Sequence, residues 1–202
     1  MTNFLRTSAF ASAAAAVLAF GFHPSAEARG PQGPVPGKPG DANIVEIAQT
    51  VNAASGEFSY LLAAATCEYF DGAVAALLTG DDKYTLFAPT DDAFIALQTA
   101  LQDVLGITEP APQATCLLPQ ELLFDVLAYH VVEGRRFSNS LFNRNVVRSI
   151  EMLNGQYILT NPNLTINDNA GQTIGVIGDL ANINASNGVI HVIDNVLLPF
   201  AP

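Results

Sequence analysis

Apolar positions in the first half of the chain recur at helical spacing. In "DANIVEIAQTV" they fall at Ile44, Ile47, Ala48 and Val51, with Asp41 or Asn43 placed to cap the helix. "GEFSYLLAAATCEYF" sets Phe58, Leu61, Leu62 and Ala65 on one face, and "DGAVAALLTG" reads as a short helix opened by Asp71 and closed by Gly80. The strand-like run "YTLFA" then meets Pro89, which breaks it, and Thr90, which sits where an N-cap belongs. Phe94, Leu97, Leu101, Val104 and Leu105 follow as the stripe of an amphipathic helix. After the proline-rich loop "GITEPAPQATCLLP", a helix is expected from Pro119 to Gly134, with Leu122, Leu123, Val126, Leu127 and His130 on its stripe.

From residue 137 the period changes to two. "VVRSIEML" and "QYILT" flank Asn154-Gly155, a strong hairpin signal, and "LTIND" and "QTIGVIG" flank "NAG" as a second hairpin. Asn187-Gly188 introduces a last strand, "VIHVID". Helices gather early and strands late, which predicts an α+β domain with an antiparallel sheet system.

Composition changes this picture at the N-terminus. Arg6, the apolar "SAFASAAAAVLAFGF" and Ala26-Glu27-Ala28 have the form of a secretory signal peptide over 1–28, cut before Arg29. "RGPQGPVPGKPG" has almost no apolar side chains and reads as a flexible leader over 29–40. Residues 41–202 have the length of one domain. The expected mature protein is soluble and exported, secreted or periplasmic, with no membrane-spanning stretch and no lipid or GPI anchor signal. A formal net charge of −11 argues against nucleic acid and against anionic membranes.

Candidate chemistry is sparse. Cys67 and Cys116 are the only cysteines. In an oxidising compartment one disulfide is the natural pairing, and two buried thiols are the alternative; ligand spacing for zinc is missing. Asp91 and Asp92 adjoin, but adjacent side chains on a helix do not face each other. In a first turn their charge favours the exposed N–H groups, each contributing about 0.3–1 kcal/mol. His191 stands with Val189 and Ile193 on one strand face, opposite Ile190 and Val192, as in a strand covered on both sides. Asp194 and Asn195 fit a turn. "NDNAGQ" at 167–172 has too few oxygen ligands for a calcium loop, and a nucleophile motif such as G-x-S-x-G is missing. No catalytic residue, metal or cofactor is expected. Asn163-Leu164-Thr165 and Asn184-Ala185-Ser186 are N-glycosylation sequons, relevant only in a eukaryotic secretory pathway.

Three stretches in order, "YTLFAPTDDAF", "LAYHVVEG" and "NGVIHVIDNVLLP", resemble the first signature, the Tyr-His segment and the second signature of the fasciclin (FAS1) domain. "DANIVEIAQTV" and "GEFSYLLAAA" resemble its opening helices, so the resemblance covers about 41–200. It implies a wedge-shaped β-sandwich packed against several helices. It also implies a secreted, non-catalytic protein that adheres to another protein, a matrix or a cell surface. Tyr129 and His130 match the segment the family links to integrin recognition and are thereby candidate partner-binding residues. His130 also lies on the expected apolar stripe, which favours a buried role. "TCEYF" and "GITEPAPQATC" lengthen the family pattern, and each carries one cysteine, so a disulfide would pin one insertion to the other. A second functional reading is a soluble carrier of an apolar small molecule such as a carotenoid, in line with some single-domain relatives of this type and with a chain that is 50% apolar.

Overall fold

A computed structural model describes residues 40–200. The expected signal peptide and, Gly40 apart, the leader lie outside the described residues. Helix α1 (Ile44–Ser55) starts at a reciprocal cap: Asn43 Oδ1 accepts from Glu46 N at 2.9 Å, and Asn43 N donates to Glu46 Oε2 at 2.8 Å. Helices α2 (Ser59–Ala65) and α3 (Ala73–Thr79) follow, then strand β1 (Tyr84–Pro89). Thr90 Oγ1 accepts from Ala93 N and caps α4 (Asp91–Ala100). Here the expected long helix breaks. Leu101 leaves helical geometry, and the short α5 (Gln102–Leu105) abandons the stripe, so that Val104 is 79% exposed.

Helix α6 (Gln120–Ala128) is shorter than expected. Its stripe ends before His130, and Val131–Glu133 form strand β2, paired antiparallel to β1. Two adjacent valines favour a strand, and pairing with β1 gives them partners that a further helical turn would not. After α7 (Ser138–Leu141) come β3 (Arg148–Glu151), β4 (Tyr157–Asn161), β5 (Thr165–Asn167) and β6 (Thr173–Gly175), the two expected hairpins in one antiparallel sheet. Strand β7 (Ile183–Ala185), too short to carry a period, precedes β8 (Gly188–Ile193).

The first sheet has the order β2-β1-β8-β7. Its central pair, β1 and β8, runs parallel over six register pairs, where an antiparallel system was expected. Parallel neighbours need a long crossover, and the chain between them, which carries the whole second sheet, supplies it. Both strands are covered on both faces. Leu86, Ala88, Ile190 and Val192 join an apolar cluster with the helices, and Phe87 and Ile193 join one with Ile150, Ile158, Ile166 and Ile174 of the second sheet. The result is an α+β sandwich: helices, first sheet, second sheet.

Two neighbouring residues tie the layers. Asn187 is buried; its Nδ2 donates to Leu78 O at 2.6 Å and Gly80 O at 3.2 Å, and its Oδ1 accepts from Ile44 N at 2.9 Å. It therefore closes the end of α3 and the start of α1 at once. At Gly188 a β-carbon would lie 2.1 Å from Tyr84 O and 2.6 Å from Ile44 Cδ1, so only glycine lets β8 approach β1 there. Cys67 and Cys116 form a disulfide with Cα atoms 5.6 Å apart, joining the end of α2 to a 3-10 turn at Pro112–Leu117.

Three stability measurements by urea unfolding check this account. Asn187→Ala strands one N–H and two carbonyls and is expected to cost about 3 kcal/mol. Gly188→Ala is expected to cost about 3 kcal/mol, because the clash is with backbone. Reducing the disulfide removes the constraint on a loop of 49 residues' separation and is expected to cost up to about 4 kcal/mol.

Candidate functional site

Tyr129 and His130 follow α6 directly, where the chain turns from helix into β2. Tyr129 is fully buried. Its hydroxyl donates to Tyr157 O at 2.8 Å and accepts from Asn169 N at 3.2 Å, bridging α6 to the second sheet. Burial pushes its pKa up to about 12. His130 is 2% exposed. Leu197 N donates to its Nε2 at 3.0 Å, so Nδ1 carries the proton and donates to Val126 O at 2.7 Å. Burial lowers its pKa to about 4, although the Val126 carbonyl and Asp168 act the other way. Both residues named for partner contact thus face inward, with their polar atoms engaged by the chain itself.

Other candidates are also built into the scaffold. His191 is fully buried and stacks on Phe87 with ring centres 5.7 Å apart. Its Nε2 donates to Arg136 O at 2.9 Å and its Nδ1 accepts from Asn182 N at 3.3 Å; burial lowers its pKa. Asp91 does more than begin α4. Phe58, ahead of α2, holds a left-handed φ of 71° and offers no side-chain cap, and the Asp91 carboxylate accepts from Ser59 N and Tyr60 N, each at 3.2 Å. One carboxylate therefore serves two helix starts. Asp92 is exposed. In the 167–172 turn the Asp168 carboxylate is taken by Gln172 and by Leu198 N, and Asp194 accepts from Gly175 N. Asn163 is exposed between β4 and β5. Asn184 is buried, its Oδ1 accepting from Arg135, and a glycan on it does not fit this fold.

An apolar concave feature is the groove between α1, α2, α3 and α6. Val45, Ala48, Leu62, Ala75 and Phe124 line it, and its volume is about 100 Å³. His130 also lines it, but both ring nitrogens are committed to backbone, so the groove meets it as an apolar edge. Phe124 is 51% exposed on α6, although its ring lies 6.2 Å from that of Phe70. Sequence patterning could not assemble this site, because its walls come from four helices. The one available signal was Phe124, a large aromatic off the apolar stripe of its helix. Among the described residues no helix is long and apolar enough to cross a membrane.

With this geometry in hand, comparison with known proteins gives a consistent result. The sequence profile of the Fasciclin domain matches residues 58–199. Protein sll1483 of Synechocystis sp. (strain ATCC 27184 / PCC 6803 / Kazusa) is 32% identical over 158 residues, which is 77% of this chain and 73% of that protein. Uncharacterized protein sll1735 of the same organism is 33% identical over 156 residues, 77% of this chain and 97% of that one. Transforming growth factor-beta-induced protein ig-h3 of Sus scrofa is 30% identical over 151 residues, 66% of this chain but 18% of that protein. A solved FAS1 domain pair from the insect cell adhesion molecule Fasciclin I superposes with a TM-score of 0.47 at 17% identity; the match covers 68% of this chain and 43% of that one.

Burial of His130 makes stability pH-dependent. Its folded pKa, about 4, lies below the ordinary 6.5, so the unfolded chain takes up the proton first. The stabilisation is complete above about pH 6.5 and is lost as pH falls through about 4, a change of about 3 kcal/mol. Urea unfolding at stepped pH values is expected to show this loss, with a shallower slope in His130→Gln.

Proposed function

The chain belongs to the Fasciclin domain family, and on that premise we propose that its work is contact outside the cell: it adheres to another protein, a matrix or a cell surface, without catalysis. The family includes adhesion proteins, so the coarse assignment has precedent. The observation that carries the reading is the helical groove. A cavity of about 100 Å³ is below the roughly 300–1,000 Å³ of sites that enclose a small molecule. It is enough for an apolar side chain offered by a partner, with Phe124 at hand as an aromatic anchor. The histidines and Asp91 support non-catalysis in the same sense, since each is spent on backbone groups. In this reading Tyr129 and His130 act on partners through the groove and sheet they support, without direct contact.

The apolar lining favours a second reading, a carrier of an apolar small molecule such as a carotenoid. At its observed volume the groove takes one end of such a molecule, and full enclosure requires the helices to part. The absorption spectrum of protein purified from its source separates the two readings: a visible band that follows the protein supports the carrier, and a colourless preparation that takes up no added carotenoid removes it.

The contact reading is tested by adherence of protein-coated beads to native extracellular matrix or cell surfaces. Phe124→Asp is expected to weaken adherence about tenfold, because a charge replaces a half-exposed ring at the anchor. Its unfolding midpoint is expected to change little. Undiminished adherence in that variant and in Val45→Asp together overturns the assignment of the groove.

A further inference from the structure

The outward face of the second sheet, on the far side of the domain from the helical groove, combines an exposed aromatic ring with a pre-ordered array of amides. Its strands alternate strictly: Ile158, Ile166 and Ile174 are fully buried, while their neighbours face out. Register sets Leu159 beside Asn167, and Asn167 beside Thr173, across three adjacent strands. The side chains are already paired along this row. Asn161 Nδ2 donates to Thr165 Oγ1 at 3.1 Å and to Asn167 Oδ1 at 2.6 Å, and Asn167 Nδ2 donates to Thr173 Oγ1 at 3.0 Å. At the end of β4, Tyr157 is 51% exposed. Asn169 Nδ2 donates at 2.6 Å to Oε1 of Gln156, the residue before Tyr157.

We propose that this face binds a neutral, extended polysaccharide of β-linked pyranoses, with Tyr157 as the stacking platform and the Asn161–Asn167–Thr173 row as the hydroxyl-binding track. A pyranose ring offers a C–H face that packs on an aromatic ring and an edge of hydroxyls that both donate and accept. Amides and threonine hydroxyls match that edge, because they too do both. Capacity remains after the mutual bonds: Asn161 Oδ1 has no partner among the described residues, and Asn167 Nδ2 keeps one N–H. Pairing within the row fixes the rotamers beforehand, so binding orders little that is not already ordered. Adjacent strands lie about 4.8 Å apart, close to the length of one pyranose unit in an extended chain. Tyr157 adds a broad amphipathic contact at low entropic cost.

Charge selects the occupant. The protein carries a formal net charge of −11, which repels acidic polysaccharides. On the outward face of the strands, Glu151 beside Tyr157 is the acidic group, and the track itself is uncharged. A polycation would find one carboxylate there, and a polyanion would meet an unfavourable field; a neutral polyol meets neither obstacle. The surface also differs from the groove in chemistry and layer, so one can fail without the other.

Calorimetric titration of the mature chain with cellohexaose and chitohexaose, with polygalacturonate as the acidic control, tests the proposal. Saturable binding of a neutral hexaose is expected, weakened about tenfold in Tyr157→Ala and retained in Tyr157→Phe. The substitution leaves the Tyr157 carbonyl that receives the Tyr129 hydroxyl in place, and an unchanged unfolding midpoint verifies that the fold is intact. Asn167→Ala is expected to weaken binding as well, through the hydroxyl track. No saturable binding of either hexaose overturns the proposal, as does undiminished binding by Tyr157→Ala or equal binding of polygalacturonate. A dimer in sedimentation that Tyr157→Ala abolishes, without glycan binding, assigns the face to a second copy of the chain and overturns it too.

Discussion

The parallel seam between β1 and β8 is the constraint on which the rest of the molecule depends. Both of its strands face two apolar clusters, so the helical layer and the second sheet are each built on it. Its closeness at one end rests on the missing side chain of Gly188, and its position against the helices rests on the carboxamide of Asn187. Buried amides of this kind stabilise only when every polar atom is matched, which confines the helices to one docking geometry.

The same logic explains why the chemically suggestive residues are inward. A protein of this size needs to close helix ends and turns that meet inside it, and the groups suited to that are carboxylates, amides and imidazoles. Asp91 accepts the first N–H groups of α2, and His130 accepts from the backbone near Leu197 while donating to α6. An imidazole used in both directions is held neutral, and burial enforces that state. What the scaffold leaves at the surface includes an apolar groove on the helical side and, on the sheet side, a face of amides and threonines with exposed Tyr157 and Leu159, the surfaces to which we assign contact.

Much of the fold was legible in the sequence because its signals are local. The cap of α1, read as Asp41 or Asn43 and found at Asn43, the Asn154-Gly155 hairpin and the double-sided pattern around His191 each depend on a few neighbouring residues. The misreadings share another origin. "LAYHVVEG" continues an apolar helical stripe on paper, but its valines find a strand partner 45 or more positions earlier in β1, and long-range pairing outweighs local period. The parallel sense of β8 was hidden for the same reason. Gln98 illustrates the limit at α4: a polar residue that is buried because its amide reaches Thr115 and Ala111 in the insertion, contacts no local pattern announces. The groove was illegible because four separated helices form it, and the role of Asp91 at α2 because its partners lie about thirty residues upstream.

The distance along the chain between the two seam strands has a consequence for biogenesis. About a hundred residues separate Tyr84 from Gly188, so no N-terminal fragment can complete the first sheet. A growing polypeptide must extend past Ile193 before its helices gain the surface they pack against. Until then the first sheet lacks one strand of its central pair, and the architecture postpones its completion until nearly every described residue has been synthesised.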